Sequence, residues 1–285
     1  MGVYSRAADL IIEAASPTSR WYCDRPDCDG EPHKGFHFCE HPIRSSEHTW
    51  QCRHARSAQR PPATFATGVA RTWMLLAGRG YGKTRSGAEW LADQARRNPN
   101  SSWAVVAPTK EDLEDVCFEG ESGLLQALGI DRMDDRYNKS KTLLRLDNGA
   151  LIMSYSAETP RKARGPNLWG AWLEEIAQWK SREMWDNLFP AIRRGSAQTV
   201  ITSTPAPVPL VREFTDREDG SVVITRGSTY DNAKNLSAAQ IAELKIRWQG
   251  TRRERQELYG ELLEDVPGAL WSAANIESTR AVLID

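Results

Sequence analysis

The residues with the clearest chemistry form a glycine-rich run that ends in a lysine and a threonine: Gly78, Arg79, Gly80, Gly82, Lys83 and Thr84. Spaced glycines let the backbone turn through φ > 0 and bring successive N–H groups close to an anion. Lys83 is placed to reach the β- and γ-phosphates of a nucleotide, and the Thr84 hydroxyl to ligate Mg²⁺. The usual pattern, G-x-x-x-x-G-K-[ST], starts on a glycine at the position held here by Ala77, and Arg79 stands inside the loop. The plain alternative is a glycine-rich turn before a capped helix. An apolar strand ahead of G-K-T and a helical pattern behind it favour the phosphate loop.

A second centre lies at Glu174 and Glu175, adjacent acids that close an apolar run at 168–173. A nucleotide-hydrolysing site needs one carboxylate to hold Mg²⁺ and a second to position or activate the attacking water. Glu174 stands where aspartate is usual and is one methylene longer. An acid pair of this kind also suits a helix N-terminus, where it satisfies the dipole; the glycine loop upstream turns the reading to catalysis. Three further groups join these centres. Arg164, on the turn Arg164-Gly165-Pro166, suits an arginine finger acting in cis or on a neighbouring subunit, or else a basic surface shared with Arg161 and Lys162. Ser203 and Thr204 end a β-branched run, where ligands sit in open α/β sheets, and offer hydroxyls to a γ-phosphate. Gln59 offers a donor and an acceptor to an adenine edge, or is a solvated linker residue.

The elements that must position these groups alternate between strand and helix. Residues 73–77 predict a buried strand, 84–97 a helix ended by Asn98-Pro99-Asn100, and 102–107 a second strand followed by an acidic helix. That β-α-β alternation implies a parallel sheet. Residues 142–146 and 150–155 flank Asn148-Gly149 and predict a hairpin. Further strands are expected at 168–173, 198–203 and 221–225. Two helices at 237–262 carry Lys245, Arg247, Arg252, Arg253 and Arg255; they suit a DNA backbone contact or, with Glu254 and Glu257 interleaved, a solvated face.

The chain has 285 residues, 40% hydrophobic and 26% charged, with 11 tryptophans. This is a globular composition, and no apolar run approaches the ~18 residues of a membrane span. No secretory signal opens the sequence. The formal net charge of −1 means that nucleic-acid binding would need a local patch. Three segments are expected: an N-terminal extension at 1–60 opening with a short amphipathic helix, a main domain at 61–265, and a linker-like tail at 266–285.

Four of the five cysteines and all five histidines fall between positions 23 and 54. That segment has almost no aliphatic core, and a structural Zn²⁺ would supply its missing folding free energy. Four ligands would come from Cys23, Cys28, His33, Cys39, Cys52 and His54. The alternative is a loop packed on the main domain with free thiols.

Together, G-R-G-Y-G-K-T, V-V-A-P-T at 105–109, R-G-P-x-x-x-G-A-W-L-E-E at 164–175 and I-T-S-T-P at 201–205 resemble the ATPase domain of tailed-bacteriophage terminase large subunits. The match spans roughly residues 55–270. The resemblance implies a P-loop NTPase of the additional-strand, catalytic-glutamate type, an α/β fold with a mainly parallel central sheet flanked by helices. It implies an ATP- and Mg²⁺-dependent motor acting on double-stranded DNA. Its expected partners are a portal protein, a small terminase subunit and further copies in a homo-oligomeric ring, taken as a pentamer. The setting is host cytoplasm, with no membrane. By the same resemblance Lys83 and Thr84 bind phosphate and Mg²⁺, and Arg79 contacts phosphate. Glu174 is the metal-site acid, Glu175 the catalytic glutamate and Arg164 the arginine acting on a neighbour's nucleotide. Ser203 and Thr204 form the coupling motif, and Gln59 reads adenine. Family members usually continue into a nuclease domain, whose acid cluster does not follow residue 265, so nuclease activity is not expected of this chain. The competing readings are a helicase- or repair-type DNA-dependent ATPase and a non-catalytic zinc-containing assembly subunit.

Overall fold

The computed structural model describes Gln59 and residues 61–263. The amphipathic helix expected before residue 20, the zinc candidates Cys23, Cys28, His33, Cys39, Cys52 and His54, and the tail from 266 lie outside the described residues.

The runs of apolar residues form strands because both of their faces are covered. β1 (Thr72–Ala77) is buried at all six positions, as is β7 (Gln198–Ser203). β2 (Ser102–Ala107) is buried at five, and β6 (Gly170–Glu174) at all five. Alternation along the strands divides the core between two layers. Trp73 and Leu75 of β1 pack on one side with Trp103, Trp172 and Val200. Met74 and Leu76 pack on the other with Leu173, Ile201, Trp185 and Phe214.

The sheet has eight strands in the order β3-β4-β5-β2-β6-β7-β1-β8, including β3 (Tyr137–Asn138), β4 (Leu143–Arg145), β5 (Leu151–Ser156) and β8 (Val222–Gly227). β5, β2, β6, β7, β1 and β8 run parallel, and β4 and β3 add an antiparallel edge. β1 and β2, consecutive in the chain, are therefore not neighbours. β6 and β7 lie between them, and β7 is the additional strand separating the glycine-loop strand from the strand that carries Glu174. The expected strand at 168–173 begins two residues later, because Leu168 forms only an isolated parallel bridge to Ile192. The strand expected at 221–225 runs on to Gly227, matched residue for residue to β1.

The helices, in chain order, are α1 (Ala63–Ala66), α2 (Lys83–Arg97), α3 (Leu124–Leu128), α4 (Glu183–Leu188), α5 (Pro209–Thr215), α6 (Ala238–Trp248) and α7 (Arg252–Glu257). The acidic helix after β2 is a wide, π-type turn, Asp112–Phe118. Gly82 caps the N-terminus of α2, with a φ of 98° that no β-carbon-bearing residue adopts readily. Its last carbonyls are met by the hairpin: Asn148 Nδ2 donates to Ala95 O at 2.9 Å and to Arg96 O at 3.0 Å. Asn148 is thus a helix-capping residue, and only Gly149 of the Asn-Gly pair takes a positive φ. The hairpin loop has three residues, 147–149, with the glycine in the left-handed position. α6 has no buried residue, in keeping with a solvated face, and the Arg253 guanidinium lies 5.4 Å from the centre of the Trp248 ring.

Candidate nucleotide-binding site

Parallel strands place their C-terminal ends, and the loops that follow, on one edge of the sheet. Here that edge forms a cleft of about 830 Å³ lined by, among others, Arg79, Gly80, Gly82, Lys83, Thr84, Glu174, Glu175 and Thr204. The two chemical centres are thus brought together across β7.

Lys83 is almost fully buried, and its Nζ donates to the Ala77 and Gly78 carbonyls at 2.9 and 3.0 Å. Burial holds its pKa below the ordinary lysine value, opposed by the charges of Glu175, Glu174 and Glu257. The Thr84 hydroxyl donates to Glu174 Oε1 at 2.6 Å, and the Thr202 hydroxyl donates to Glu174 Oε2. Burial first, then the neighbouring Glu175 charge, push the Glu174 carboxyl up to about 7. A buried carboxylate already in contact with the loop threonine supplies hard oxygen donors of the kind Mg²⁺ takes beside phosphate and water. Thr84 and Glu174 are therefore the residues that would hold the ion. Among the described residues no group of three or more histidine, cysteine or acidic side chains is arranged as a metal site by itself.

Glu175 takes a left-handed backbone, φ 46° and ψ 54°. For a residue with a β-carbon this costs about 1–2 kcal/mol. The Glu175 N–H donates to Thr202 O at 2.6 Å, and both side-chain oxygens accept from Thr204. The strained residue sits where the carboxylate turns into the cleft, as strained residues at reactive centres often do.

The other sequence candidates divide. Thr204 lines the cleft, whereas Ser203 is buried and its Oγ accepts from the Ala177 N–H at 3.2 Å. The Gln59 N–H donates to Ser86 Oγ at 2.7 Å, which sets it beside the first turns of α2. Arg164 is exposed, donates through Nε to Asn187 Oδ1 at 2.7 Å, and is not among the residues lining the cleft. Gly78 is buried and does not line the cleft; its N–H donates to Gly227 O at 2.9 Å.

Several groups at the site went unread in the sequence. Thr229 Oγ1 donates to Arg79 O and Asn232 Nδ2 to Gly80 O, both at 2.6 Å, while the Arg79 N–H donates to Glu257 O at 2.6 Å. A β-carbon on Gly78 would lie 2.8 Å from the carbonyl oxygens of both Glu257 and Leu258. The outer side of the glycine loop is thus fastened to the chain beyond β8.

A glycine loop on β1, a carboxylate pair at the end of β6 and one strand between them define a P-loop NTPase of the additional-strand, catalytic-glutamate type. Comparison with known proteins narrows the class. The family profile described as terminase large subunit, T4likevirus-type, N-terminal matches residues 74–278, and the chain belongs to that family. The chain is similar in fold to the large terminase ATPase domain of Thermus phage P74-26, with a TM-score of 0.55 at 15% identity over 76% of this chain and 93% of that one. It is similar also to the large terminase of a second, thermophilic bacteriophage in complex with ADP, with a TM-score of 0.57 at 15% identity over 68% of this chain. This chain covers 48% of that protein, about half its length. No curated protein matches in sequence.

Proposed function

We propose that this chain hydrolyses ATP with Mg²⁺ as the ATPase part of a viral DNA-packaging motor, coupling turnover to movement of double-stranded DNA into a procapsid. The observation that carries the reading is the meeting of Lys83 and Thr84 with Glu174 and Glu175 in one cleft across β7. The loop N–H groups from Gly80 onward and the start of α2 would receive the phosphates, with Lys83 exchanging its carbonyl partners for phosphate oxygens. The metal, held by Thr84 and Glu174, would neutralise charge on the β- and γ-phosphates. Glu175 would orient and deprotonate the attacking water, and Thr204 would sense the γ-phosphate through its contact with Glu175. Gln59, beside α2, would read the adenine edge.

Arg164 would act in trans. Its exposure, and its place outside the cleft of its own chain, support a finger offered to a neighbouring copy in a ring. The complexes of the thermophilic bacteriophage's large terminase with ADP and ATP-gamma-S support the nucleotide assignment. Portal protein and small terminase subunit are the proposed partners, by family membership.

The test is ATP turnover per chain against protein concentration, with and without double-stranded DNA, for the wild type, Glu175→Gln and Arg164→Ala. Glu175→Gln should abolish turnover and keep nucleotide binding. Specific activity should rise with concentration, and Arg164→Ala should remove the rise. Turnover that survives Glu175→Gln would overturn the catalytic assignment; a flat concentration dependence would overturn the trans finger.

A further inference from the structure

Trp172 occupies an unusual place among the buried tryptophans. Trp172 and Glu174 are two residues apart on β6 and so share one face of the sheet. Thr202 is paired with Glu174 in the parallel β6–β7 register and shares that face too. α2 crosses above them and brings Gly87 against the indole, where a β-carbon would overlap the indole nitrogen. The missing side chain at Gly87 is what admits the ring.

The hydrogen bonds then run in one direction. Trp172 Nε1 donates to Thr202 Oγ1 at 2.7 Å. An indole N–H is a donor only, so this bond cannot reverse. A threonine hydroxyl has a single proton, and with a lone pair already taken by the indole that proton goes to an acceptor. Two acceptors are in reach, Leu173 O at 3.2 Å and Glu174 Oε2, which is nearer. The carboxylate forms the stronger, charge-assisted bond. Thr84 donates to the other carboxylate oxygen, and Trp179 Nε1 donates to the Glu174 main-chain carbonyl at 3.1 Å. Trp172 and Thr202 are fully buried, and Glu174 reaches from them to the edge of the cleft.

We propose that Trp172 is a positioning residue for the metal-binding carboxylate: its indole N–H commits the Thr202 hydroxyl as a donor to Glu174 and so fixes the carboxylate plane that faces the loop threonine. The inference rests on the nucleotide–metal reading of the cleft and adds the residues that set the carboxylate's orientation. A core-filling tryptophan would need only its volume; a positioning tryptophan needs its N–H.

The experiment uses Mn²⁺ as the probe, with ADP held equimolar to protein, and reads free Mn²⁺ by its electron paramagnetic resonance signal. ADP affinity in EDTA is measured alongside by calorimetry. Trp172→Phe keeps a ring and removes the donor; Thr202→Val removes the hydroxyl; Thr202→Ser restores it. Trp172→Phe and Thr202→Val should each weaken Mn²⁺ binding about fivefold, the scale of one lost hydrogen bond. ADP affinity in EDTA should stay unchanged, Thr202→Ser should remain near wild type, and the Trp172→Phe/Thr202→Val double variant should be no worse than Thr202→Val alone. Unchanged Mn²⁺ affinity in Trp172→Phe, or full additivity in the double variant, overturns the proposal. A wild-type chain that binds no ADP would instead overturn the nucleotide reading itself.

Discussion

Thr204 holds Glu175 with both of its donors: its main-chain N–H reaches Oε2 and its hydroxyl reaches Oε1, each at 3.1 Å. The residue that follows β7 thereby sets the direction of the carboxylate that follows β6. Thr204→Ala keeps the N–H contact and removes the hydroxyl contact. A hydrogen bond to a charged acceptor contributes about 1.5–3 kcal/mol, so kcat is expected to fall about tenfold or more with KM for ATP unchanged. Steady-state kinetics with Thr204→Ser as the restoring variant will check this. A fall in affinity with kcat preserved would place Thr204 in nucleotide binding instead.

The buried Glu174 carboxyl sets a pH dependence of stability. Its pKa rises on folding from the ordinary 4.5 to about 7, so the folded chain binds this proton more tightly than the unfolded chain. Below pH 4.5 both states are protonated and the group costs nothing. The cost grows as pH rises from 4.5 to about 7 and is fully present above it. Glu174→Gln mimics the protonated form, so it should melt higher than wild type at about pH 8 and at the same temperature near pH 4. A melting series in the absence of nucleotide and divalent ions measures it. A difference between the two proteins that stays constant across that range would contradict the assignment.

Fastening of the glycine loop to the chain beyond β8 requires residues without β-carbons. Gly78→Ala would set a methyl 2.8 Å from the Glu257 and Leu258 carbonyl oxygens, both main-chain atoms that cannot swing away. Overpacking of this kind costs about 1–3 kcal/mol. The variant is expected to melt lower and to bind ADP more weakly, through close approach alone, because Gly78 is not among the glycines at positive φ. Thermal melting and calorimetry with ADP check this, and an unchanged melting temperature would mean that the loop shifts to admit the methyl.

The parts of this architecture that were legible in the sequence are those set by local chemistry. Residues 102–107 and 198–203 form strands at the expected positions, because continuous apolar or β-branched runs bounded by proline, asparagine or serine have few other uses. Gly82, Lys83 and Thr84 lie where a strand, a turn and a helix meet, as their order implied. The rest depended on contacts between distant segments. Thr202 reads as one more β-branched strand residue until β7 is known to lie beside β6, and only the register opposite Glu174 gives it a role. Thr229 reaches the loop from 150 residues away in sequence, with no motif to mark it. Ser203 and Thr204 carry similar hydroxyls, yet Ser203, at the end of β7, accepts from Ala177, and Thr204, just beyond it, donates to Glu175. The Asn148-Gly149 pair was legible as a turn, but its capping of α2 followed from where the hairpin lands.

The outer face of the glycine loop has a thermodynamic consequence. The N–H groups of Gly78 and Arg79 and the carbonyls of Arg79 and Gly80 are occupied by Gly227, Glu257, Thr229 and Asn232 of the chain itself. A phosphate-binding loop left free would have to be ordered by its ligand, and that ordering would subtract from affinity and slow the encounter. Here the protein supplies that order before nucleotide arrives. Association should therefore follow a single bimolecular phase, and its entropy should reflect displaced water and the released Lys83 side chain rather than a backbone brought to rest.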